Sequence, residues 1–269
     1  MSSTVKIQLL SDLHLENPKS YDLFAVTPRA PVLALIGDIG CTKDEGLFDF
    51  LTTQVEQFQL VFFLLGNHEP YGSDWDKATT AVNKFAQEIK QLRADQPRLG
   101  EFIFLNRTRY DLSDRVTVLG CTLYSMVTKI EMDHVSFGLN DFYQIEDFSV
   151  EQHNEAHVAD LAWLNDQVEA IATEEPHRSV VILTHHSPTR DPRAVDPKHA
   201  GGNIQSGFST DLSEETCWTT ECVKVWAFGH THFNCDFEDE PTRLRVVTNQ
   251  HGYYFAQSVG FSGEKCFEV

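Results

Sequence analysis

Short runs of apolar residues divide the first quarter of the chain into strands. Residues 5–10 alternate and then turn apolar, while residues 32–36 and 60–65 are apolar throughout. Runs of this kind predict strands buried on both faces, as in parallel sheets. Between the last two runs, residues 44–58 carry apolar side chains at helical spacing, and Asp44 stands where an N-cap belongs. The pattern therefore predicts a strand, helix and strand unit.

The rest of the apolar pattern predicts more helices and strands. Helices are expected at residues 76–93 and 150–171, where apolar residues recur at helical spacing. Strands are expected at residues 102–105, 110–112, 116–123, 180–183, 223–228 and 243–248. The first three of these strands form a meander or part of a second sheet. Residues 125–149 and 187–216 predict long loops that are functional or mobile, and the second is a candidate lid over a site.

The amino-acid composition mainly excludes classes of binding partner. The chain has 269 residues, which fits one α/β domain spanning residues 1–269. Its 40 acidic and 21 basic side chains give a net charge of −19, so long nucleic acid is a poor candidate substrate. No signal peptide is visible, and no stretch approaches the ~18 to 20 apolar residues that cross a bilayer. We therefore expect a cytoplasmic protein without membrane contacts.

The cysteines add no metal or redox motif. None of the six forms a C-x-x-C pair, and they are scattered along the chain: Cys41, Cys121, Cys217, Cys222, Cys235 and Cys266. In a chain of this size without a signal segment, such cysteines are expected to be reduced and mostly buried.

Candidate metal ligands follow five of the predicted strands, at the point where each strand ends. They are, in chain order, Asp12 with His14, Asp38, Asn67 with His68 and Glu69, His185 with His186, and His230 with His232. Ligands of open α/β sheets bind beyond the carboxyl ends of the strands, so these five turns are expected to converge. Alternate residues of an extended chain project to one side, so Asp12 and His14 can face one ion. Such imidazole and carboxylate ligands suit zinc, iron or manganese.

Each candidate also has a simpler explanation. A single aspartate or histidine at a strand end is most often a solvated loop residue or a cap. The coincidence of five such groups favours a shared site instead. Glycines at Gly37, Gly66 and Gly229 permit the sharp turns and close approach that this site requires. Five histidines lack this context and are expected at the surface: His134, His153, His157, His177 and His199.

The same residues carry a resemblance to a known family. The chain resembles the calcineurin-like metallophosphoesterases at five motifs in the family's order: Asp12-x-His14, Gly37-Asp38, Gly66-Asn67-His68-Glu69, His185, and Gly229-His230-x-His232. The resemblance is closest to small members without regulatory tails. It implies a four-layer α-β-β-α sandwich of two mixed β-sheets flanked by helices. A binuclear site for two divalent ions (manganese, iron or zinc) is implied at the carboxyl ends of the strands.

Carried onto this sequence, the resemblance also implies individual roles. It divides seven ligands between two ions: Asp12, His14 and His232 hold one, Asn67, His185 and His230 hold the other, and Asp38 bridges both. A metal-bridging hydroxide is the implied nucleophile, and His68 is implied to protonate the leaving group.

One position departs from the family pattern. Many phosphoprotein-directed relatives have an aspartate, where this chain has Cys41, that orients the catalytic histidine. Either another group orients His68, or proton donation is weaker and aryl phosphates are preferred over alkyl phosphates.

Three further residues are candidates for substrate contact. His186 either touches substrate or hydrogen-bonds backbone behind His185. Asn140 and His251 lie in turn-rich segments that are candidates for the rim of the site, although turn formation explains them more simply.

The expected function is hydrolysis of phosphate monoesters or diesters of a small molecule. A phosphoprotein (Ser/Thr) phosphatase is the alternative, although so acidic a chain shows no basic groove for phosphopeptides. A non-catalytic scaffold is less favoured, because all seven ligand positions and His68 are present. A nuclease would need a basic track, and the chain offers only isolated residues: Arg190, Arg193 and Lys198.

Overall fold

Two mixed β-sheets pack face to face, and helices cover the outer face of each. The computed structural model describes residues 4–269. The strands in this part of the chain are β1 (Lys6–Leu10), β2 (Val32–Ile36), β3 (Leu60–Leu64), β4 (Glu101–Phe104), β5 (Thr108–Asp111), β6 (Val116–Cys121), β7 (Ser179–Thr184), β8 (Val223–Phe228), β9 (Asp236–Glu238), β10 (Arg245–Thr248), β11 (Gly252–Tyr253), β12 (Ala256–Gln257) and β13 (Cys266–Glu268). The helices are α1 (Glu45–Gln57), α2 (Trp75–Asp95), α3 (Met132–Gly138), α4 (Asp141–Gln144), α5 (Val150–Glu174) and α6 (Thr216–Thr219).

The first sheet has the order β13-β1-β2-β3-β4, with β13 antiparallel and the other four strands parallel. The second has the order β5-β6-β7-β8-β10-β9, in which β6, β7, β8 and β10 run parallel and the two edge strands are antiparallel. Strands β11 and β12 form a separate hairpin. All five strands that precede candidate ligands therefore run parallel within their sheets.

Alternate side chains of each strand point to opposite faces of its sheet, which explains how the layers pack. In β2, Leu33 and Leu35 pack against α1 and α2, whereas Ala34 and Ile36 pack against the second sheet. The second sheet repeats this division, because Val181 and Leu183 of β7 face the first sheet and the intervening Ile182 joins a cluster with α5. Burial on both faces is why these strands read as solid apolar runs in the sequence. The expected four-layer architecture is confirmed.

The predicted elements are present, with local differences. Strand β4 lies at the edge of the first sheet, while β5 and β6 belong to the second, so the meander interpretation was wrong. Asp44 occupies the N-cap position of α1 but makes no cap hydrogen bond, because its carboxylate accepts from Lys19 Nζ at 2.6 Å and Tyr21 Oη at 3.1 Å. Residues 125–149 contain α3 and α4 rather than a continuous loop.

Two histidines expected at the surface are buried. His153 and His157 are each 1% exposed and lie on the face of α5 that packs inward, together with Asp160. His153 Nε2 accepts a hydrogen bond from Ser125 N at 3.1 Å. The buried face of α5 therefore includes polar side chains, and the spacing of apolar residues alone could not reveal them. The prediction that these two histidines lie at the surface was wrong.

The thiols match the expectation in part. All six cysteines are free, three of them buried and three half-buried. Among the described residues, no helix combines the length and the apolar character that a membrane span requires.

Candidate metal centre

The five strand ends that carry candidate ligands meet at one edge of the two sheets. Within the first sheet, Asp12 N donates to Gly37 O at 3.1 Å, which joins the ends of β1 and β2. Within the second, Gly229 N donates to His185 O at 2.9 Å, which joins β8 to β7. His230 N donates to Asp12 Oδ1 at 3.0 Å and links the two sheets. The five strand ends therefore converge at one edge of the sheets, as the sequence predicted.

Five of the seven candidate ligands have left-handed backbone conformations. Their φ angles are 55° for Asp12, 49° for His14, 55° for Asp38, 69° for His230 and 50° for His232. Residues other than glycine rarely adopt this conformation, and it is concentrated at sites where function requires a particular side-chain direction. The backbone turns sharply at each strand end and directs these side chains into a common space.

The first cluster consists of Asp12, His14 and His232. The Nε2 atoms of His14 and His232 lie 2.9 Å apart, and His232 Nε2 is 3.4 Å from Asp12 Oδ1. Burial opposes ionisation of Asp12, but interaction with His232 outweighs it and lowers the pKa of the carboxyl group. Two imidazole nitrogens and one carboxylate oxygen thus face each other within reach of one ion.

The second cluster consists of Asn67, His185 and His230. His185 Nδ1 faces Ile36 O at 3.0 Å and donates to it, so in the neutral ring, the form that binds a metal, Nε2 carries the lone pair. That Nε2 lies 3.0 Å from Asn67 Oδ1, which places two acceptors opposite each other. His230 Nε2 is buried and has no hydrogen-bond partner among the described residues. Facing acceptors and an unpartnered imidazole nitrogen fit a shared cation.

Asp38 lies between the two clusters. Its Oδ2 is 3.9 Å from His14 Nε2, and its Oδ1 is 3.4 Å from His185 Nε2. Burial opposes its ionisation, yet the neighbouring histidines hold the pKa of this carboxyl well below the ordinary value. One ionised carboxylate therefore offers one oxygen to each side.

The donor set fits two divalent ions of the kind that the sequence suggested. Each cluster combines imidazole nitrogen with carboxylate or amide oxygen, a mixture that zinc, iron and manganese accept. The Asp38 carboxylate outweighs burial and raises the pKa of His185 to about 10, so this site attracts positive charge. Ligation of a divalent cation supplies that charge and displaces the proton.

Glu69 fixes the turns that carry Asp38 and Asn67. Its fully buried carboxylate accepts three backbone hydrogen bonds, from Gly66 N at 2.7 Å, Asp38 N at 3.0 Å and Ile39 N at 2.8 Å. A Cβ atom at Gly66 would overlap Asp38 Oδ1. The glycine is therefore required by close approach to the carboxylate, as the sequence indicated.

His68 is held in a hydrogen-bonded position beside Asp38. Its Nδ1 lies 2.8 Å from Glu16 Oε1, and its Nε2 lies 3.9 Å from Asp38 Oδ2. The ring stacks on Tyr71 with centroids 4.2 Å apart. Burial disfavours the charged ring, but Asp38 and the hydrogen bond to Glu16 outweigh it and raise the pKa of His68 to about 9. Its Nε2 is thus a proton-bearing atom at the edge of the centre.

A cleft of about 540 Å³ opens directly above the centre. Asp38, Asn67, His68, His230 and His232 form part of its lining. The long loop of residues 187–216 supplies many of its lining residues, and the hairpin β11–β12 supplies Tyr253. This volume lies within the range of pockets that enclose small molecules.

The three predicted substrate contacts are placed differently. Asn140 lines the cleft. His186 is fully buried with its ring 4.1 Å from that of His230, and neither ring nitrogen has a hydrogen-bond partner among the described residues. His251 packs between Phe24 and Phe261 and is not among the described residues that line the cleft. His186 and His251 therefore lie outside the described lining of the cleft, and their role as substrate contacts stays a prediction.

Two residues of the site, Glu16 and Tyr71, were missed from the sequence. Asp141, Gln250 and Tyr253 belong to the two turn-rich segments that were only weaker candidates for the rim. Glu16 continues the alternate spacing of Asp12 and His14, so the same argument could have found it. Asp141 accepts from Asn67 Nδ2 at 2.8 Å, a contact 74 residues apart that no local pattern signals.

Comparisons with known proteins agree with this geometry. The calcineurin-like phosphoesterase family matches residues 5–234. An uncharacterised protein, L509 of Acanthamoeba polyphaga mimivirus, is 26% identical over 92% of this chain and 91% of its own length. Among solved structures, the phosphopantetheinyl hydrolase PptH of Mycobacterium tuberculosis has a TM-score of 0.63 at 15% identity, covering 94% of this chain and 91% of that one.

A dimetal phosphatase from Danio rerio has a TM-score of 0.53 at 15% identity, and the match covers 91% of this chain and 87% of that one. At these identities the solved structures establish the fold alone. The family match covers most of the chain, including every candidate ligand from Asp12 to His232. The chain therefore belongs to the calcineurin-like phosphoesterase family and is a metal-dependent hydrolase of phosphate ester bonds.

Proposed function

We propose that this protein hydrolyses phosphate monoesters or diesters of a small molecule. The observation that carries the proposal is the position of Asp38 in the lining of the cleft, with one oxygen toward each ligand cluster. Asp12, His14 and His232 would hold one ion, and Asn67, His185 and His230 the other. Two such ions, when bound, lower the pKa of water and neutralise charge on the phosphoryl group.

His68 is proposed as the proton donor. His68 lines the cleft, and its Nε2 lies 3.9 Å from Asp38 Oδ2, while its Nδ1 is hydrogen-bonded to Glu16. The Glu16 carboxylate has a pKa lowered to about 2, because its hydrogen bonds to His14 and His68 outweigh burial, and so it accepts but does not donate. His68 Nδ1 must then be the donor to Glu16. Because the pKa of His68 is raised to about 9, the ring is protonated at neutral pH and also carries a proton on Nε2, 3.3 Å from Tyr253 Oη. This Nε2–H would pass its proton to the leaving oxygen of a bound ester.

The small-molecule substrate is favoured over a phosphoprotein. The cleft has a volume of about 540 Å³, a size typical of small-molecule pockets, whereas recognition of a phosphorylated protein segment commonly uses several positively charged side chains. Lys198 is the one lysine or arginine among the described cleft-lining residues. The net charge of −19 also disfavours attraction of acidic phosphopeptides.

A substrate screen tests the proposal. Purified protein loaded with manganese, zinc or iron is assayed on phosphomonoesters, diesters, cyclic nucleotides, a phosphopeptide and a phosphopantetheinyl ester, the last because one structural neighbour carries that name. We expect hydrolysis of small esters that is lost in Asp38→Asn. Preferential hydrolysis of the phosphopeptide would favour the phosphatase alternative. A correctly folded protein inert toward every ester with each metal would leave only a scaffold role.

A further inference from the structure

Part of the cleft lining is apolar, although the metal centre at its base is strongly polar. Five described residues make up this apolar wall: Leu139, Val195, Ile204, Phe208 and Tyr253. Three of them, Leu139, Ile204 and Phe208, pack in one hydrophobic cluster. The Phe208 ring stacks on that of His230 with centroids 4.9 Å apart and an interplanar angle of 28°. The Tyr253 ring lies 4.3 Å from that of His14. The apolar wall therefore begins at the metal-site histidines and extends away from them.

The charges around the cleft do not suit an anionic group beyond the reacting phosphate. Asp141 and Asp196 line it, and Lys198 is the one lysine or arginine described there. Recognition of a second phosphate or a carboxylate commonly uses an arginine or several cationic donors. The part of the substrate that follows the reacting phosphate is therefore best matched by an uncharged group.

The apolar wall is also held in place before any substrate binds. In the long loop of residues 187–216, Ser206 N donates to Glu131 Oε2 at 2.7 Å, and Ser206 Oγ accepts from Thr128 N at 3.2 Å. Gly207 lies so close to Leu139 that a Cβ there would be 2.9 Å from Leu139 Cδ2. Ile204 and Phe208 pack on the small core around Val135 and Leu139. A surface fixed in this way binds an apolar group without a large ordering cost.

Resting on the proposed function, we propose that the apolar wall is the leaving-group subsite and selects uncharged, largely apolar alcohols or phenols. The phosphoryl group would face Asp38, and the leaving oxygen would face His68 Nε2. In the reaction the water oxygen bonds to phosphorus, the bond to the leaving oxygen breaks, and that oxygen takes the proton of His68. The freed alcohol then remains against Ile204 and Phe208 until it dissociates.

The test compares esters that differ mainly in apolar size. Phenyl phosphate and 1-naphthyl phosphate both release phenols, so intrinsic reactivity differs little. We expect kcat/KM to be about tenfold higher for the naphthyl ester, as burial of roughly 55 Å² of extra apolar surface predicts. Phosphotyrosine, whose phenol carries two charges, is expected to be a poorer substrate than phenyl phosphate. Binding of 1-naphthol and phenol to the metal-free protein should show the same preference without catalysis.

Variants of the apolar wall test whether it causes the preference for the naphthyl ester. In Val195→Thr/Ile204→Thr a hydroxyl replaces one methyl group of Val195 and the ethyl group of Ile204. Apolar surface is thereby removed, so the naphthyl-to-phenyl ratio should fall to about threefold or less. The exposed pair Val158→Thr/Val259→Thr is the matched control and should keep the wild-type ratio. Equal kcat/KM for the two esters in active wild-type protein, or a ratio unchanged by the cleft variant, would overturn the subsite alone. Absence of all hydrolysis while 1-naphthol still binds preferentially would instead overturn the proposed function and keep the subsite.

Discussion

The Glu16 carboxylate accepts a hydrogen bond from His68 Nδ1 at 2.8 Å, a contact that the family resemblance assigns, in many phosphoprotein-directed members, to an aspartate at the position of Cys41. Cys41 contributes only a thiol contact to His68 O at 3.3 Å. The carboxylate that orients the histidine therefore comes from the segment after β1 instead of the segment after β2. Of the two explanations that the sequence left open for Cys41, this contact supports orientation by another group.

Glu16→Gln is expected to weaken proton donation by His68. The amide keeps the size of the side chain but removes the charge that fixes the ring and favours its protonated form. We expect kcat on alkyl phosphates to fall by about 10- to 100-fold, and by much less on aryl phosphates with acidic leaving groups. Steady-state kinetics on the two ester classes measure the difference, and metal content checks that ligand His14 is unaffected.

Two further variants separate positioning from a general structural effect. In a His68→Ala background, Glu16→Gln should reduce activity on alkyl phosphates little further, because both changes remove the same function, proton donation by His68. Cys41→Asp, added to Glu16→Gln, should restore part of the activity on alkyl phosphates. Unchanged alkyl activity in Glu16→Gln, or fully additive losses with His68→Ala, would show that Glu16 does not act through His68.

Gly66→Ala is expected to disrupt the centre while leaving the fold intact. The added Cβ overlaps Asp38 Oδ1 and displaces the carboxylate that both clusters share. We expect loss of activity by at least about 100-fold, together with reduced metal content. The control is Gly263→Ala, where nothing lies within 4 Å of the added atom. Equal activity of the two alanine variants would contradict the close packing around Asp38.

The buried Asp160 predicts a measurable pH dependence of stability. Burial raises its pKa from 3.8 to about 6, although the N–H of Leu123 and the charge of Arg107 oppose the shift. Between these two pKa values the folded state therefore binds more protons than the unfolded state. The contribution of Asp160 to the free energy of unfolding is complete below pH 3.8 and is lost as the pH rises through 6.

Asp160→Asn removes that titration while keeping an acceptor for Leu123 N. The free energy of unfolding of the wild type, relative to this variant, should fall by about 2 to 3 kcal/mol between pH 4 and pH 7. Urea denaturation at several pH values measures the difference. Asp166→Asn, on the exposed side of the same helix, is the control and should follow the wild type. Parallel curves for Asp160→Asn and the wild type would contradict the shift.

Sequence patterns predicted the parts of the fold that follow a strict period. Strands buried on both faces, such as β2 and β3, read as solid apolar runs, and β8 was predicted with its observed bounds. The short edge strands β9 and β13 were missed, since three residues with one exposed side carry no period. These strands depend on pairing partners distant in the chain, such as β1 for β13.

The site was predictable where its residues occupy strand ends, and not where they meet through tertiary packing. Asp12 and Asp38 stand directly after apolar runs, so parallel-sheet geometry predicts that they converge. His153 and His157 were misplaced because a buried polar side chain is recognised only by its partner, here Ser125 or Leu123. The role of Glu16 required the position of His68, which lies 52 residues away in sequence.

The central claim is that Asp38 joins two metal sites in one centre. The most direct measurement is the number of manganese ions bound per chain, determined by elemental analysis after loading and gel filtration. We predict two ions per chain for the wild type and for His177→Asn, an exposed control, and at most one for Asp38→Asn. A wild-type protein that binds fewer than two ions, or an Asp38→Asn variant that retains both, would contradict the claim.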